Sequence, residues 1–360
     1  MTEIYGKSLP VPAPYADICD FYVHIRADRP IRLLQLSDMQ LIDASQQRYP
    51  ERLNANEIRD WCPENIDVLC LDHIRSLAAQ TAPDLIFITG DVIYGEFDDS
   101  GRSFDLFCSF MDSLQIPWAP VFGNHDNESH RGTAWQCERF AQSTYCLFAR
   151  GNVSGNGNYS VLISHNGTPE RILCMLDSHG CGGAHDPEDR IPPCICEDQV
   201  AWLSRTATAL RDVLGYTLPA FAAFHIPSRE FHLSMEEKGY FEGGPFYVLG
   251  VDVAGKDGDF GCCHEHFGWC HTPDGFCDTL SAAGVNGVFA GHNHMINTSI
   301  LYGGIRWTFS LKTGQYDYHA PGQLGGTLVT LDPAAVCGHS VTHIPALVIY
   351  GPFPNAPRNL

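Results

Sequence analysis

The chain has 360 residues, of which 44% are hydrophobic, and its formal net charge is −20. A chain of this size can bury one large α/β core, and an acidic surface repels phosphate backbones, so we expect no nucleic-acid binding. No apolar run reaches the roughly 18 to 20 residues of a membrane span. The polar N-terminus also lacks the apolar segment of a signal peptide. We therefore expect a cytoplasmic protein that does not insert into membranes.

Short apolar runs alternate with amphipathic stretches along most of the chain. Strands are predicted over residues 20–25, 31–36, 84–89, 118–122, 158–164, 171–177, 220–224 and 287–290. Helices are predicted over residues 66–80, 104–114, 135–141, 197–214 and 278–283. This alternation predicts parallel strands with right-handed crossovers, whose C-terminal ends lie at one edge of a sheet.

Polar side chains follow five of these strands directly. An aspartate in such a place is often only a helix cap, but its recurrence with amide and imidazole groups is harder to explain in that way. Carboxylate, amide and imidazole ligands suit iron, manganese or zinc and need no thiolate. The pattern therefore predicts a dinuclear metal site at the C-terminal ends of the strands. The residues concerned are Asp38, Asp91, Asn124, His125, Asp126, His225, His292 and His294.

Further features complete the predicted architecture. Residues 1–30 form an irregular N-terminal arm, and the polar insertion at 41–66 precedes the first helix. The long segment 228–277 is Gly- and Cys-rich, and we expect it to act as a lid over the substrate pocket. No repeat or linker divides the chain, so a single domain is predicted over 1–360. Alternating stretches predict an antiparallel sheet edge that closes the fold, at residues 306–310, 326–331 and 343–349.

The chain contains 15 cysteines, and in a reducing compartment these are free thiols by default. A structural zinc site is conceivable, but neither of the two cysteine groups has the paired Cys-x-x-Cys spacing. The first group is Cys181, Cys194 and Cys196, and the second is Cys262, Cys263, Cys270 and Cys277, interspersed with His264, His266 and His271.

The strand-end motifs resemble, in order and setting, those of the calcineurin-like metallophosphoesterase superfamily. The contexts Phe224-His225-Ile226-Pro227 and Leu311-Lys312-Thr313-Gly314 are similar to its purple-acid-phosphatase-like branch. The resemblance covers about residues 31 to 320. It implies an α/β fold, a four-layer α/β/β/α sandwich of two mixed sheets flanked by helices.

The resemblance also implies ligand roles. Asp91 would bridge two metal ions, which would be iron, manganese or zinc. The other ligands would be Asp38 and His294 for the first metal, and Asn124, His225 and His292 for the second. His125 would protonate or stabilise the leaving oxygen, and Asp126 would orient its ring.

Two positions depart from the commonest family pattern. Gln40 stands where many members have a histidine ligand. Tyr94, three residues after Asp91, matches the tyrosine that purple acid phosphatases use as a phenolate ligand of ferric iron. Tyr94 is therefore predicted to be a metal ligand, although it could instead pack under the loop. Gln40 could offer only a weaker, neutral oxygen.

The predicted function is hydrolysis of a small-molecule phosphomonoester by attack of a metal-bound hydroxide. A phosphodiesterase with the same site remains open, as does a non-catalytic scaffold, for which Gln40 is the only support. The sequence gives no information about a protein partner. Arg131, Arg229 and Lys312 could meet phosphate oxygens, but solvated side chains are the default interpretation.

Overall fold

The computed structural model describes residues 1–43, 46, 66–180, 190–240, 251–255, 257–319 and 322–346. Within these residues the strands are β1 (Thr2–Tyr5), β2 (Phe21–Ile25), β3 (Arg32–Leu36), β4 (Leu85–Thr89), β5 (Trp118–Val121), β6 (Tyr159–His165), β7 (Thr168–Met175), β8 (Ala220–Ala223), β9 (Val251–Ala254), β10 (Phe260–Cys263), β11 (Val285–Ala290), β12 (Ser299–Tyr302), β13 (Ile305–Phe309), β14 (Gly325–Leu331) and β15 (His339–Pro345). The α-helices are α1 (Ile66–Thr81), α2 (Arg102–Ser113), α3 (Gly132–Gln142), α4 (Glu197–Leu214), α5 (Arg229–Glu237) and α6 (Phe276–Ala282).

The strands form two mixed sheets. The larger has the order β1-β2-β6-β7-β8-β11-β13-β12-β10-β9, and the smaller has the order β15-β14-β3-β4-β5. In the smaller sheet β3, β4 and β5 are parallel neighbours. In the larger sheet β7, β8, β11 and β13 are parallel neighbours. Each sheet therefore contains a block of neighbouring parallel strands, which all end at the same edge of the sheet.

Side-chain alternation along the larger sheet divides its residues between two hydrophobic cores. Val161 and Phe221 belong to the core shared with the smaller sheet and helices α1 to α3. Their chain neighbours Leu162 and Ala222 belong to the core beneath α4 and α6. The fold therefore consists of two packed sheets with helices on their outer faces. This confirms the predicted fold class.

Most predicted elements are confirmed within one to three residues, but two interpretations were wrong. The stretch at 306–310 does not belong to the closing edge, because β13 lies inside the larger sheet beside parallel β11. Only β14 and β15 form the predicted antiparallel edge. The arm is not wholly irregular either, because Thr2–Tyr5 pairs with β2. Alternation identifies a strand but carries no information about its neighbour.

The segment 228–277 is also more ordered than a long loop. It contains α5, and its strands β9 and β10 extend the larger sheet. Residues 241–250 of this segment, like most of the predicted insertion at 41–66, lie outside the described residues. The role as a lid stays a prediction. Among the helices of the described part, none is long and apolar enough to cross a membrane.

Candidate metal centre

The polar residues that follow the parallel strands converge between the two sheets. Asp38 and Asp91 follow β3 and β4 of the smaller sheet, and His225 follows β8 of the larger. Ligand atoms of these three buried residues all lie within 4.8 Å of one another. His225 also connects the sheets directly, because its Nδ1 lies 2.7 Å from the carbonyl oxygen of Thr89.

Asn124 is the centre of the set predicted for the second metal. Its Oδ1 lies 2.9 Å from Nδ1 of His292 and 3.1 Å from Nε2 of His225. Nε2 of His225 in turn lies 3.3 Å from Oδ2 of Asp91. Since Nδ1 of His225 donates to the Thr89 carbonyl, Nε2 is the nitrogen left to face the site, as a histidine ligand requires.

The set predicted for the first metal is arranged in the same way. Nε2 of His294 lies 3.5 Å from Oδ1 of Asp38, and its Nδ1 lies 2.9 Å from the carbonyl oxygen of Tyr318. Both oxygens of Asp38 also accept hydrogen bonds from the backbone N–H of His292, each at 3.2 Å. These contacts fix the side-chain orientations before any ion binds.

Four residues of the site adopt the left-handed backbone region, which side chains with a Cβ rarely occupy. Their φ angles are 55° for Asp38, 47° for Gln40, 52° for Asp91 and 71° for His292. The backbone N–H of Gln40 donates to the carbonyl oxygen of Asp91 at 2.9 Å, which holds the first two loops together. The ligand-bearing turns are thus maintained by their surroundings, not by local preference.

Gly291 is required for close approach and not for a turn. It has no positive φ, whereas the following His292 does. A Cβ at Gly291 would lie 1.9 Å from Oγ of Ser37 and 2.7 Å from Oδ2 of Asp38. Gly291 is therefore needed because no side chain fits between the loops that carry Ser37 and Asp38.

The electrostatics of the site suit a cation. Burial alone would raise the pKa of Asp38, but its hydrogen bond to His294 and the charge of His225 lower it to about 2. The pKa of Asp91 is lowered too, because the charges of His225 and His125 outweigh its burial. Burial lowers the pKa of His225, yet the carboxylates raise it to about 9. Asp38 and Asp91 thus favour a positive charge at this point of the structure.

Asp126 does not orient the ring of His125, which corrects the predicted role. Its buried carboxylate instead accepts three backbone N–H groups, from Asp91 at 2.9 Å, Ile93 at 3.0 Å and Gly123 at 2.7 Å. Asp126 thereby connects the loops after β4 and β5. It is a positioning residue for Asp91.

Glu128 takes the role that was assigned to Asp126. Its Oε2 lies 2.9 Å from Nδ1 of His125, and the two side chains are 11% and 22% exposed. Burial lowers the pKa of His125, but Asp91 and Glu128 raise it to about 9. The ring of Tyr94 stacks on His125 with centroids 4.2 Å apart. Glu128 was missed, although it stands three residues after His125 in a short 3₁₀ turn.

Tyr94 is half-buried and packs against Phe97 and Tyr316. This packing agrees with the alternative that the sequence left open, in which the ring lies under the loop. Coordination by Tyr94 stays a prediction.

Lys312 is not a solvated lysine. It is 1% exposed, and its Nζ donates to Oε1 of Gln40 at 2.7 Å and to the carbonyl oxygen of Asp38 at 3.0 Å. The amide nitrogen of Gln40 therefore faces the site, 3.4 Å from Oδ2 of Asp91 and 3.2 Å from Nε2 of His294. In this orientation Gln40 offers its neighbours a donor, and its oxygen is engaged by Lys312.

The remaining candidates lie outside the cluster. Arg131 and Arg229 are exposed, and Arg131 stacks over Trp135 while donating to the carbonyl oxygen of Ser100. His266 and His271 are exposed as well. These residues agree with the default interpretation as surface side chains.

The described residues thus offer two carboxylates, an amide oxygen and three imidazoles at one point, a donor set that fits divalent or trivalent ions. Consistent with this, the model of the family described as calcineurin-like phosphoesterase matches residues 31–295, well over half of the chain. The chain belongs to the calcineurin-like phosphoesterase family. Members of this family use dinuclear metal sites.

The relatives agree with this assignment. Probable inactive purple acid phosphatase 29 of Arabidopsis thaliana is 26% identical over 82% of this chain and 74% of its own length. An uncharacterised protein of Schizosaccharomyces pombe is 28% identical over 56% of this chain, which spans only 37% of that protein. A dimetal phosphatase from Danio rerio is 13% identical, with a TM-score of 0.50 over 84% of this chain and 93% of the other. The last likeness shows the fold alone.

Proposed function

We propose that this protein is a dinuclear metal-dependent phosphoesterase that hydrolyses a small-molecule phosphomonoester. The observation that carries the proposal is the convergence of Asp38, Asp91, Asn124, His225, His292 and His294 at the ends of parallel strands from both sheets. When bound, two ions would supply positive charge for the phosphoryl oxygens and lower the pKa of a water nucleophile.

The chain's own proton donor would be His125. Its backbone N–H donates to Oδ1 of Asp91 at 2.9 Å, so the ring stands beside the bridging ligand. Glu128 holds Nδ1, which leaves Nε2 to deliver a proton to the leaving oxygen. Stacking against Tyr94 restricts the rotation of the ring. Donor, orienting carboxylate and metal ligands are therefore assembled before substrate arrives.

The test is turnover of an aryl phosphate by protein reconstituted with iron, manganese or zinc. Asp91→Asn should lose metal and activity, and His125→Ala should keep metal but lose at least about tenfold in kcat, since general acid catalysis contributes about 10²–10⁴-fold. His130→Ala is a matched control, because His130 is an exposed histidine of the same segment that pairs with Asp99. Absence of turnover with two ions bound would refute the proposal. Comparing mono- and diaryl phosphates tests the preference for monoesters.

We also propose Tyr94 as a ligand of the first metal, on the strength of its position three residues after Asp91. Loading with ferric iron should then give a phenolate-to-iron charge-transfer colour that disappears in Tyr94→Phe. A colour that persists in this variant, or a colourless ferric protein, would show that Tyr94 has only a packing role.

One observation favours a second candidate, a non-catalytic member of the family. The ammonium group of Lys312 is buried beside Asp38 and Gln40, where it opposes binding of a cation at the first position. Metal content separates the two functions, because a scaffold would hold at most one ion per chain and show no turnover. The variant Gln40→His with Lys312→Met restores the commoner ligand and removes the charge. Activity that arises only in this variant would identify the natural chain as non-catalytic.

A further inference from the structure

A second group of metal-ligating side chains lies beyond the candidate metal centre. It consists of His179, shortly after β7, and of Cys194 and Cys196, which precede α4. One ligand atom from each residue lies within 4.8 Å of the other two. The two sulfur atoms are 3.6 Å apart, and Sγ of Cys194 is 3.6 Å from Nδ1 of His179. Both cysteines are free thiols.

These separations match the edges of a tetrahedral zinc site. Zinc binds thiolate sulfur at about 2.3 Å and imidazole nitrogen at about 2.0–2.1 Å. Tetrahedral geometry then separates two sulfur ligands by about 3.8 Å, and a sulfur from a nitrogen ligand by about 3.5 Å. Two of the three donor separations, both 3.6 Å, are close to these values, and the third is within 4.8 Å.

We propose that His179, Cys194 and Cys196 bind a structural zinc ion that is separate from the phosphoesterase centre. Binding releases the two thiol protons to solvent. With three protein ligands, the fourth position of a tetrahedral ion would be taken by a water molecule.

The histidine is constrained as a ligand would be. His179 is only 5% exposed and has a φ of 55°, a conformation that its surroundings must enforce. Its Nδ1 also lies 2.8 Å from the carbonyl oxygen of Cys194, so without metal this nitrogen carries the proton. Nε2 is then buried with no hydrogen-bond partner among the described residues. Zinc binding at Nδ1 would replace this hydrogen bond to the Cys194 carbonyl, and the proton would move to Nε2.

The second cysteine is placed where negative charge is favoured. Cys196 is the N-cap of α4, an 18-residue helix, and its side chain faces the backbone of the first turn. The N-terminus of a helix stabilises a thiolate through its unpaired N–H groups and its dipole. The sulfur of Cys196 thus lies beside the first-turn N–H groups of α4.

The zinc ion would stabilise the side of the phosphoesterase centre that carries His225. Next to His179, the hydroxyl of Ser178 accepts the backbone N–H of Ile226 at 2.9 Å, and Ile226 adjoins His225. The backbone N–H of Cys194 donates to the carbonyl oxygen of Ser178 at 3.0 Å. The zinc ligands thus lie on the segment that holds the His225 loop.

Cobalt(II) tests the proposal, because a sulfur-to-cobalt charge-transfer band requires cysteine ligands and the phosphoesterase centre has none. Cobalt-loaded wild-type protein should show this band, and Cys194→Ser with Cys196→Ser should lose it and one equivalent of metal. Cys262→Ser is the matched control, because Cys262 is a half-exposed thiol beside Asp252 and His264. It should keep the band.

A band that survives the double variant, or that disappears in Cys262→Ser, would overturn the assignment. X-ray absorption of the zinc-loaded wild type gives an answer even if the double variant does not fold. Sulfur neighbours at about 2.3 Å support the site, and a shell of nitrogen and oxygen alone refutes it. Neither measurement depends on turnover, so failure of the proposed function would not be confused with failure of this site.

Discussion

Replacing Asp126 by alanine separates its positioning role from a role in orienting His125. The carboxylate accepts the backbone N–H groups of Asp91, Ile93 and Gly123 at 2.7–3.0 Å. Alanine removes all three acceptor contacts at once. It leaves the contact between His125 and Glu128 in place.

The expected loss follows from the three donors. A buried donor left without a partner costs about 1–3 kcal/mol, and water entering the space of the lost carboxylate offsets part of this. We therefore expect the free energy of unfolding to fall by about 3–5 kcal/mol. Because Asp91 is one of the released residues, its φ of 52° loses support and metal affinity should fall as well.

Urea unfolding and elemental analysis measure the two effects. Both are performed at pH 8, above the pKa of Asp126, which burial and the charge of Asp91 raise to about 7. Asp112→Ala is the matched control. Its carboxylate also accepts three N–H groups, from Thr144, Tyr145 and the indole of Trp118, but near the opposite end of β5.

Both variants should unfold at lower urea concentration, and only Asp126→Ala should lose bound metal. Full metal occupancy in Asp126→Ala, with an unchanged urea midpoint, would refute the assignment. So would equal loss of metal in the two variants, because a general loss of stability would then explain both.

Three further outcomes are expected. Glu128→Gln should lower the pKa of His125 by about one to two units, since an ion pair this close contributes up to about 4 kcal/mol before solvent screening. The alkaline limb of the pH profile of kcat should then move to lower pH. An unmoved limb would contradict the pairing. Burial lowers the pKa of His339 to about 3. Near pH 6.5 the unfolded chain therefore binds a proton at this residue that the folded chain does not bind. The free energy of unfolding should therefore fall as the pH drops from about 6.5 towards 3, by up to about 1.4 kcal/mol per unit, and urea titrations should find a smaller slope in His339→Asn. Gly291→Ala should lower metal content in elemental analysis, because its Cβ would overlap Oγ of Ser37, whereas Gly167→Ala meets no neighbouring atom and should retain it.

The strand ends that carry ligands could be predicted because the signal is local. A short apolar run followed directly by Asp38, Asp91 or His225 identifies both the strand and the edge at which it ends. The same reasoning failed for Lys312, since its burial depends on Gln40 and Asp38, more than 270 residues earlier in the chain. A lysine viewed in isolation is expected in solvent.

The carboxylate that contacts His125 was predicted wrongly for a different reason. Both carboxylates are close enough in sequence to reach His125, and the family pattern suggested the adjacent one. The 3₁₀ turn at Asp126–Glu128 instead brings the residue three positions later beside the ring. Helical spacing, applied to the loop itself, would have favoured Glu128.

Asp38, Gln40, Asp91 and His292 form the ligand rim of the candidate metal centre. All four adopt the left-handed backbone conformation, which sets this rim apart from the rest of the fold. Each costs about 1–2 kcal/mol relative to glycine, so the rim stores roughly 4–8 kcal/mol, comparable to the net stability of many domains. If only the stability of the fold had been selected, glycine would occupy these four positions. Chelation should therefore make these turns the first to exchange amide hydrogens, and stabilising designs for this chain should begin elsewhere.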